Sequence, residues 1–385
     1  DALRQLSFKF LQKGELSHFN FQKLFLQPFE TIIRNTKMGE IQELVLVCVE
    51  NILNACAQSM KSGWKIILHV VQLAAASEKE VVIKLASKVT NRLMTSDFKL
   101  IVQDFLDFVQ CLVALAQNVH FEAESMTALV HLTDCVKELA KGTIHLETTA
   151  EDNAASMSNG VKKGASSKSK SNDKTNTAQL SENSRMFALW LPVLLGLSSI
   201  VADPRCKVRL QALDALQTVL LRYGKFFTPS SWLRIYKEVL FPMMKSAKRD
   251  RTEQMTALSP IESPDVPPNP MSWINSTAKL VLVSWLVIFR HFQLWETPDL
   301  MTAMVSAIER SMNEGIESLA RLAFEAYSCF FLSPEEDKFQ VSGFANEVSK
   351  GIYKSIASQL CLDYGHHGVL GFSTKIYPKF VIDAF

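Results

Sequence analysis

The sequence lacks an excess of charge of either sign, and it lacks the common motifs for binding phosphate or metal. Its 41 basic and 39 acidic residues leave a net charge of +2, too small to draw the chain as a whole to nucleic acid or to an acidic membrane. It contains no glycine loop of the Walker or dinucleotide type, no His-Glu-x-x-His and no Cys-x-x-Cys. We therefore expect no nucleic-acid partner, no cofactor and no bound metal.

The cysteine content does not support a disulfide framework. Seven cysteines are scattered along the chain, an odd number, and at least four of them lie within apolar helical patterns. Buried free thiols in a reducing compartment fit this distribution better than disulfides do. The sequon Asn275-Ser276-Thr277 is then not expected to carry a glycan.

No apolar run has the length and composition of a membrane span. Residues 186–202 carry no charge but include Pro192, Gly196 and two serines, whereas a spanning helix needs about 20 mostly apolar residues. The amphipathic segment 97–116 has aspartates at its polar positions, where helices that lie on membranes have Lys and Arg. Both segments are predicted to be helices buried in a soluble fold. Because the chain begins with Asp1 rather than Met, we expect it to be a piece of a longer protein.

Helical apolar stripes are the dominant pattern in the sequence. One stripe is repeated, with a second copy that starts 40 residues after the first: Ile41, Leu44, Val45, Cys48, Val49, Ile52 and Leu53, then Val81, Leu85, Ala86, Val89 and Leu93. Residues at these spacings share one helix face, and recurrence every ~40–47 residues is typical of stacked HEAT or armadillo repeats. The sequence therefore predicts an all-α fold, an α-solenoid of HEAT/armadillo-like helical repeats.

Two segments of different composition divide the predicted repeats into blocks. Residues 147–184 are rich in Ser, Lys and Asn, with almost no apolar side chains, and are predicted to be a disordered linker. Residues 246–270 contain five prolines and are predicted to be a second linker. The expected helical blocks are 1–146, 185–245 and 271–385. The pattern assigns no fold to residues 365–385 within the last block.

Polar clusters that could support chemistry have simpler explanations. The two clusters are His120 with Glu122 and Glu124, and Cys361 with Asp363, His366 and His367. The first lies at a predicted helix start, where acidic side chains favour the positive end of the helix dipole. The second matches no standard zinc spacing. Trp64 and Trp232 begin predicted helices and are expected to pack in the core, with a partner hot spot as the minority interpretation.

The N-terminal block has more specific features than its helical pattern. It contains Asp1-Ala2-Leu3-Arg4-Gln5-Leu6-Ser7, Lys9-Phe10-Leu11, Glu15-Leu16, Phe19-x-Phe21-Gln22-Lys23, Pro28-Phe29-Glu30 and Ser62-Gly63-Trp64-Lys65. These words resemble the segment that follows the exchange domain in the large Golgi guanine-nucleotide exchange factors for Arf GTPases, the brefeldin A-inhibited type. A weaker similarity continues through 190–232 and 272–332.

This resemblance implies a non-catalytic regulatory and membrane-recruitment region of a cytoplasmic protein that is peripheral on Golgi, trans-Golgi or endosomal membranes. The region would dock activated, membrane-bound Arf-type GTPase and modulate its own, separate exchange domain. Within the words, the polar residues Arg4, Gln5, Lys9 and Lys23 are the candidate partner-binding positions. Solvated helix surface, or contact with the exchange domain, would also account for them. The alternative function is a purely structural helical scaffold for homodimerisation or tether docking.

Overall fold

The computed structural model describes residues 9–13, 15, 20–144, 172–245, 273–313 and 319–324. The regular structure in these ranges is helical, and none of it is strand. The chain divides into two compact units, residues 1–303 and 304–385. None of the described helices is long and apolar enough to cross a membrane.

The described part of the first unit contains the following helices. They are α1 (Phe21–Asn35), α2 (Gly39–Cys56), α3 (Gly63–Ala74), α4 (Glu80–Thr95), α5 (Phe105–Ala116), α6 (Glu122–Ala140), α7 (Asn172–Ile200), α8 (Cys206–Tyr223), α9 (Pro229–Arg234) and α10 (Lys279–His291). The chain continues from α9 as a π-helix and then a 3-10 turn, Ile235–Leu240 and Phe241–Met244, and a π-helical turn, Ile274–Ala278, precedes α10. The boundary between the units falls inside α11 (Pro298–Met312).

Consecutive helices form hairpins, and the hairpins stack in two layers. The odd-numbered helices α1, α3, α5 and α7 pack each on the next, and α7 packs on the π-helix that extends α9. The even-numbered helices α2, α4, α6, α8 and α10 form the second layer in the same order. Each hairpin hides its apolar face against its neighbours, as stacked helical repeats do. The predicted fold class, an all-α solenoid of helical repeats, is confirmed.

Hydrogen bonds connect positions one repeat apart. The thiol of Cys111 donates to the carbonyl of Leu68 at 2.8 Å, and the amide of Asn118 donates to the carbonyl of Ala75 at 2.8 Å. The partners are 43 residues apart in both pairs. Asn118 supplies a donor to a carbonyl at the end of α3, where the helix supplies none, and Cys111 adds a second donor to a carbonyl inside α3. These bonds therefore fix the register between neighbouring hairpins as well as their distance.

The stack continues directly from α5 and α6 to α7 and α8, although residues 145–171 separate them in sequence. Asp203 holds Arg205 by two hydrogen bonds of 2.9 and 2.8 Å. The same guanidinium reaches back to the carbonyl of Ala116 at 3.2 Å. At the helix surface, the Lys207 ammonium lies 2.9 Å from the carboxylate of Glu122. Neighbours in space are thus more than 80 residues apart in sequence.

A buried arginine joins the α8 hairpin to the turn before α10. Arg209 is 2 % exposed, and its guanidinium donates to Thr277 Oγ1 at 2.9 Å, Ser276 Oγ at 2.7 Å and the Pro204 carbonyl at 2.7 Å. The hydrogen bonds compensate for the cost of burying the charge. Thr277, the third residue of the sequon, is fully buried, so this turn is used inside the fold.

The structure differs from the sequence prediction at several boundaries. Helix α7 begins at Asn172, inside the segment 147–184 that was expected to be disordered, because extending an existing helix costs far less than nucleating one. The helix expected from Asp97 begins only at Phe105, after two short 3-10 turns. The remainder of the first linker, the second linker and the chain beyond residue 324 lie outside the described residues. The proposed division into blocks stays a prediction.

Two members of the repeated stripe were wrongly placed in the core. Leu44 is 63 % exposed and Val81 is 50 % exposed, whereas Val45, Val49 and Leu93 are buried as expected. A helix of the second layer is covered by its hairpin partner and by the hairpins before and after it. Its outer side remains in solvent, and both exposed residues lie there.

Candidate partner-binding surface

The N-terminal segment is fastened to the first hairpins by a buried glutamine. Gln22, in the first turn of α1, is fully buried. Its amide nitrogen donates to the carbonyls of Leu11 at 3.3 Å and Ser59 at 2.9 Å, and its oxygen accepts from the backbone N–H of Lys61 at 2.7 Å. One side chain thus joins the segment before α1 to the turn before α3.

A carboxylate beside Gln22 completes this connection. Glu15 accepts from the backbone N–H of Gln22 at 3.0 Å and from that of Ser62 at 3.1 Å, and the Ser62 hydroxyl also donates to it. At the next residue, a Cβ on Gly63 would lie 2.9 Å from Leu26 Cδ1 and closer still to Met60. The close approach therefore favours glycine at this position.

An exposed cluster of aromatic rings lies on this fastened segment. The Phe10 ring is 4.7 Å from the Phe21 ring in an edge-to-face arrangement and 5.8 Å from the Phe25 ring, yet Phe10 stays 43 % exposed. Leu24, on the same side of α1, is 58 % exposed. We name the surface formed by Lys9, Phe10 and Leu24 the N-terminal patch; its lysine is exposed.

The predicted partner-binding residues fall into two groups. Lys9 adjoins Phe10, whereas Lys23, two residues from both Phe21 and Phe25 in α1, lies on the other side of the helix from these rings. The backbone N–H of Lys23 donates to Ser62 Oγ at 3.2 Å, which leaves its side chain available at the surface. Arg4 and Gln5 lie outside the described residues.

A second polar group on the odd-numbered helices lies between α1 and α3. The Glu30 carboxylate is 2.7 Å from Arg34 Nη2 and 3.2 Å from His69 Nδ1. The hydrogen bond from Arg34, together with the nearby His69, holds the pKa of Glu30 below its ordinary value. These groups satisfy one another at the surface, and they form a structural ion cluster rather than a proton-transfer site.

Further along the same layer, a carboxyl group is close to its titration point at neutral pH. Burial of Asp104, with the like charge of Asp107 nearby, raises the pKa of Asp104 to about 6, and Lys65 acts against the shift. Lys65 belongs to the last of the N-terminal words. The charge of this part of the surface therefore changes between mildly acid and neutral pH.

The His120 cluster considered for chemistry is not assembled into a site. His120 is exposed, and its backbone N–H donates to Asn118 Oδ1 at 3.0 Å, while Glu122 is paired with Lys207 in the first turn of α6. No group of three His, Cys, Asp or Glu suited to a metal ion occurs among the described residues. The Cys361 cluster lies outside them. Trp64 and Trp232 are 1 % and 3 % exposed, so their expected role in the core is confirmed.

Sequence reasoning missed a second exposed aromatic group, at the end of α8. Phe226 is 53 % exposed and lies parallel to Tyr223, with ring centroids 6.4 Å apart. Two basic side chains adjoin the rings: Arg222 lies 5.7 Å from the ring of Tyr223, and Lys225 lies 5.5 Å from that of Phe226. Basic and aromatic residues interleaved around Gly224 were the available signal.

A stack of helical hairpins with polar and aromatic groups on its described surface defines the class of the chain as a helical-repeat protein of the α-solenoid type. Residues 9–92 match the family model described as Mon2/Sec7/BIG1-like, HDS, and residues 190–326 match the model described as GBF1-like, tetratrico peptide repeat region. The chain is therefore related to the large brefeldin A-inhibited guanine nucleotide-exchange proteins, and the resemblance found in its N-terminal words is confirmed.

Individual relatives agree with the family models. The chain is 28% identical over 369 residues to brefeldin A-inhibited guanine nucleotide-exchange protein 2 of Arabidopsis thaliana, a match covering 91% of this chain and 20% of the relative. It is 30% identical over 266 residues to protein 1 of Homo sapiens, covering 66% of this chain and 13% of the relative. The chain thus spans a fifth or less of the length of these curated relatives. No solved structure matches it.

Proposed function

We propose that this chain is a non-catalytic regulatory and membrane-recruitment region of an Arf guanine-nucleotide exchange factor. It docks activated, membrane-bound Arf-type GTPase and modulates a separate exchange domain in Golgi vesicle traffic. The protein is then cytoplasmic and peripheral on Golgi, trans-Golgi or endosomal membranes. The names of the relatives support exchange-factor membership, and the hairpin stack supports a docking role, because stacked repeats present extended surfaces to globular partners.

The observation that carries the docking proposal is the N-terminal patch. The Phe10 ring stays 43 % exposed although it packs on two other rings. Because its side chain is already held in place, binding of a partner carries no further entropic cost for ordering it. Aromatic residues are enriched at protein interfaces, and exposed charges steer association with a partner of complementary charge. Lys9 adjoins Phe10, Lys23 is exposed elsewhere on α1, and the bonds of Gln22 and Glu15 fix the segment that presents them.

The test is flotation of the purified chain with neutral phosphatidylcholine vesicles that carry lipid-anchored Arf in its GTP-bound or GDP-bound form. We expect binding to the GTP form only. Exchanging both lysines for glutamate, K9E/K23E, should weaken this binding about tenfold. The matched control is K37E/K79E, which reverses two exposed lysines on loops at the other end of α1 and α3 and should bind as the wild type does.

Three results would argue against the proposal in this form. Equal binding to the GTP and GDP forms would show that the chain does not distinguish activated from inactive GTPase. Equal weakening by K9E/K23E and K37E/K79E would show that only overall charge matters. Retention of GTP-dependent binding by K9E/K23E would move the docking site elsewhere and leave contact with the exchange domain as the role of the two lysines.

The alternative function, a structural scaffold, is favoured by one feature of α10. Leu280, Val283 and Val287 are spaced along one side of this helix and are 46 %, 43 % and 39 % exposed. The corresponding outer side of α8 carries polar side chains, including Lys207 and Asp214. An apolar outer side fits a homodimer or a docked tether. Light scattering would favour this function if the chain is a dimer, V283E/V287E is a monomer, and neither binds the GTPase.

A further inference from the structure

The carboxyl ends of α6, α8 and α10 form one edge of the stack, and basic residues are concentrated there. Because these helices pack side by side in the same layer and point the same way, their last turns are neighbours. The edge carries Lys137, Lys141, Arg222, Lys225, Arg290 and His291. We name these side chains, with Tyr223 and Phe226, the basic edge.

Contacts between the helix ends show that the edge is continuous. Tyr223, the last residue of α8, is close enough to Lys141, at the end of α6, to interact with its charge. On the other side, Gly224 lies against the Phe292 ring that follows α10, since a Cβ on it would overlap that ring. His291 stacks edge-to-face on Phe292 with 4.7 Å between the ring centroids.

Few carboxylates offset the positive charge of this edge. Asp134 and Glu138 pair with Lys137 and Lys141 at 2.7 and 2.6 Å. The chain has no acidic residue between Asp214 and Glu238, whereas Glu296 and Asp299 follow the end of α10 within eight residues. The end of α8 is therefore basic without a carboxylate in its own segment. Positive side chains at helix carboxyl ends stabilise the helix dipole, which explains part of the pattern.

The dipole does not explain the aromatic residues among these cations. Phe226 is 53 % exposed, and a ring of this size normally finds cover. Its position is fixed from below, because the rings of Tyr223 and Phe226 lie 5.6 and 6.4 Å from that of Trp190, which is 3 % exposed. The Phe226 ring is thus exposed next to Arg222 and Lys225, and its position is fixed by packing on the buried ring of Trp190.

We propose that the basic edge rests on an anionic membrane surface, with its Lys and Arg side chains among phospholipid headgroups and Phe226 at the boundary with the acyl chains. This inference rests on the proposed peripheral membrane role and specifies the surface that performs it. Cations on three helix ends, spaced ~8–10 Å apart as packed helices are, match a sheet of headgroups better than a single anion. Aromatic rings beside basic residues are favoured at such interfaces.

The test uses the whole 385-residue chain and vesicles without any GTPase. We expect it to float with phosphatidylcholine vesicles rich in phosphatidylserine, to bind pure phosphatidylcholine vesicles poorly, and to dissociate as salt is raised. Each Lys or Arg near an anionic surface contributes about a fivefold gain in partition. The variant R222E/K225E should therefore lose at least about 25-fold, while K37E/K79E, with the same change in net charge, should lose little.

The contribution of the ring is tested separately by Phe226→Ser. This exposed substitution should leave the thermal unfolding of the chain unchanged and weaken binding to phosphatidylserine vesicles severalfold, because it removes apolar area that the interface buries. Equal losses for R222E/K225E and K37E/K79E would overturn the proposal, as would undiminished binding by Phe226→Ser. If R222E/K225E keeps its binding to the vesicles but no longer binds an acidic protein that the wild type binds, the edge is assigned to a protein partner and the proposal is overturned.

The two proposals can fail independently. Docking of GTP-bound Arf is measured on neutral vesicles, where the basic edge has no anionic lipid to meet. Lipid binding is measured without Arf, where the N-terminal patch has no GTPase to meet. Loss of the first with retention of the second would overturn the docking proposal only, and the converse would overturn only the basic edge.

Discussion

Replacement of Gln22 with alanine should release the N-terminal segment from the stack. The side chain makes three hydrogen bonds to backbone groups of Leu11, Ser59 and Lys61, and it is fully buried. Each bond contributes about 1 kcal/mol net, and the backbone groups left behind are only partly reached by water. We therefore expect the stability of the first hairpin to fall by about 3 kcal/mol. The effect should stay local, because each hairpin of a repeat stack is stabilised mainly by its neighbours.

Hydrogen exchange read by mass spectrometry is the appropriate assay, because it resolves local opening of the first hairpin from global unfolding. Peptides covering 9–15 and 59–64 should exchange about 100-fold faster in the variant, while peptides from α7 and α8 should be unchanged. Gln27→Ala is the matched control, since Gln27 is exposed on the same helix and its loss should cost less than about 0.5 kcal/mol. Equal protection in the two variants would refute the fastening role of Gln22.

Three further substitutions test other buried polar groups. Arg209→Met should lower the free energy of unfolding by about 3 kcal/mol and loosen the turn before α10 in hydrogen exchange, because it removes the donor to the Pro204 carbonyl and to Thr277 Oγ1. Asp104→Asn should stabilise the protein by about 1 kcal/mol at pH 7 and have no effect at pH 3, since a raised carboxyl pKa lowers stability as pH rises through about 6. Burial lowers the pKa of His131, and its ring nitrogens have no hydrogen-bond partner among the described residues. The wild type should therefore lose stability as pH falls below the ordinary histidine range, and His131→Leu should lose less of it, as measured by urea unfolding at each pH.

Periodicity predicted the helices well, but it could not predict how they pair. The stripe at Val45, Val49 and Leu53 marks the buried face of α2 because spacing alone determines which residues share a helix face. Leu46, on the same helix, was left out of the stripe and is fully buried. It stands three residues before Val49 and seven before Leu53, so helical spacing places it on the same face and the stripe was drawn too narrowly. Which helix lies beside which, in contrast, is a property of tertiary packing that no local pattern records.

The same limit applies where the stack passes the Ser/Lys-rich segment. The sequence shows a change of composition after residue 146, and a separate second block was the natural prediction. Arg205 nevertheless reaches the carbonyl of Ala116, and Lys207 pairs with Glu122. The contact between Arg205 and the Ala116 carbonyl depends on Asp203, which orients the guanidinium. It forms only after the two hairpins have packed together. An insertion between hairpins therefore need not interrupt a repeat stack.

The N-terminal words have a physical basis that changes what they imply about function. Gln22, Ser62, Gly63 and Trp64 carry much of the resemblance, and each is used inside the fold, by hydrogen bonding, close approach or burial. A resemblance that rests on such positions indicates that the same fastening of the first hairpins is retained, and it is silent about partners. Partner recognition must instead come from exposed neighbours such as Lys9 and Phe10, whose position the fastening determines. If the GTPase binds this surface, Gln22→Ala should weaken docking of the GTPase as well as protection of the first hairpin against hydrogen exchange, although Gln22 itself is inaccessible to any partner.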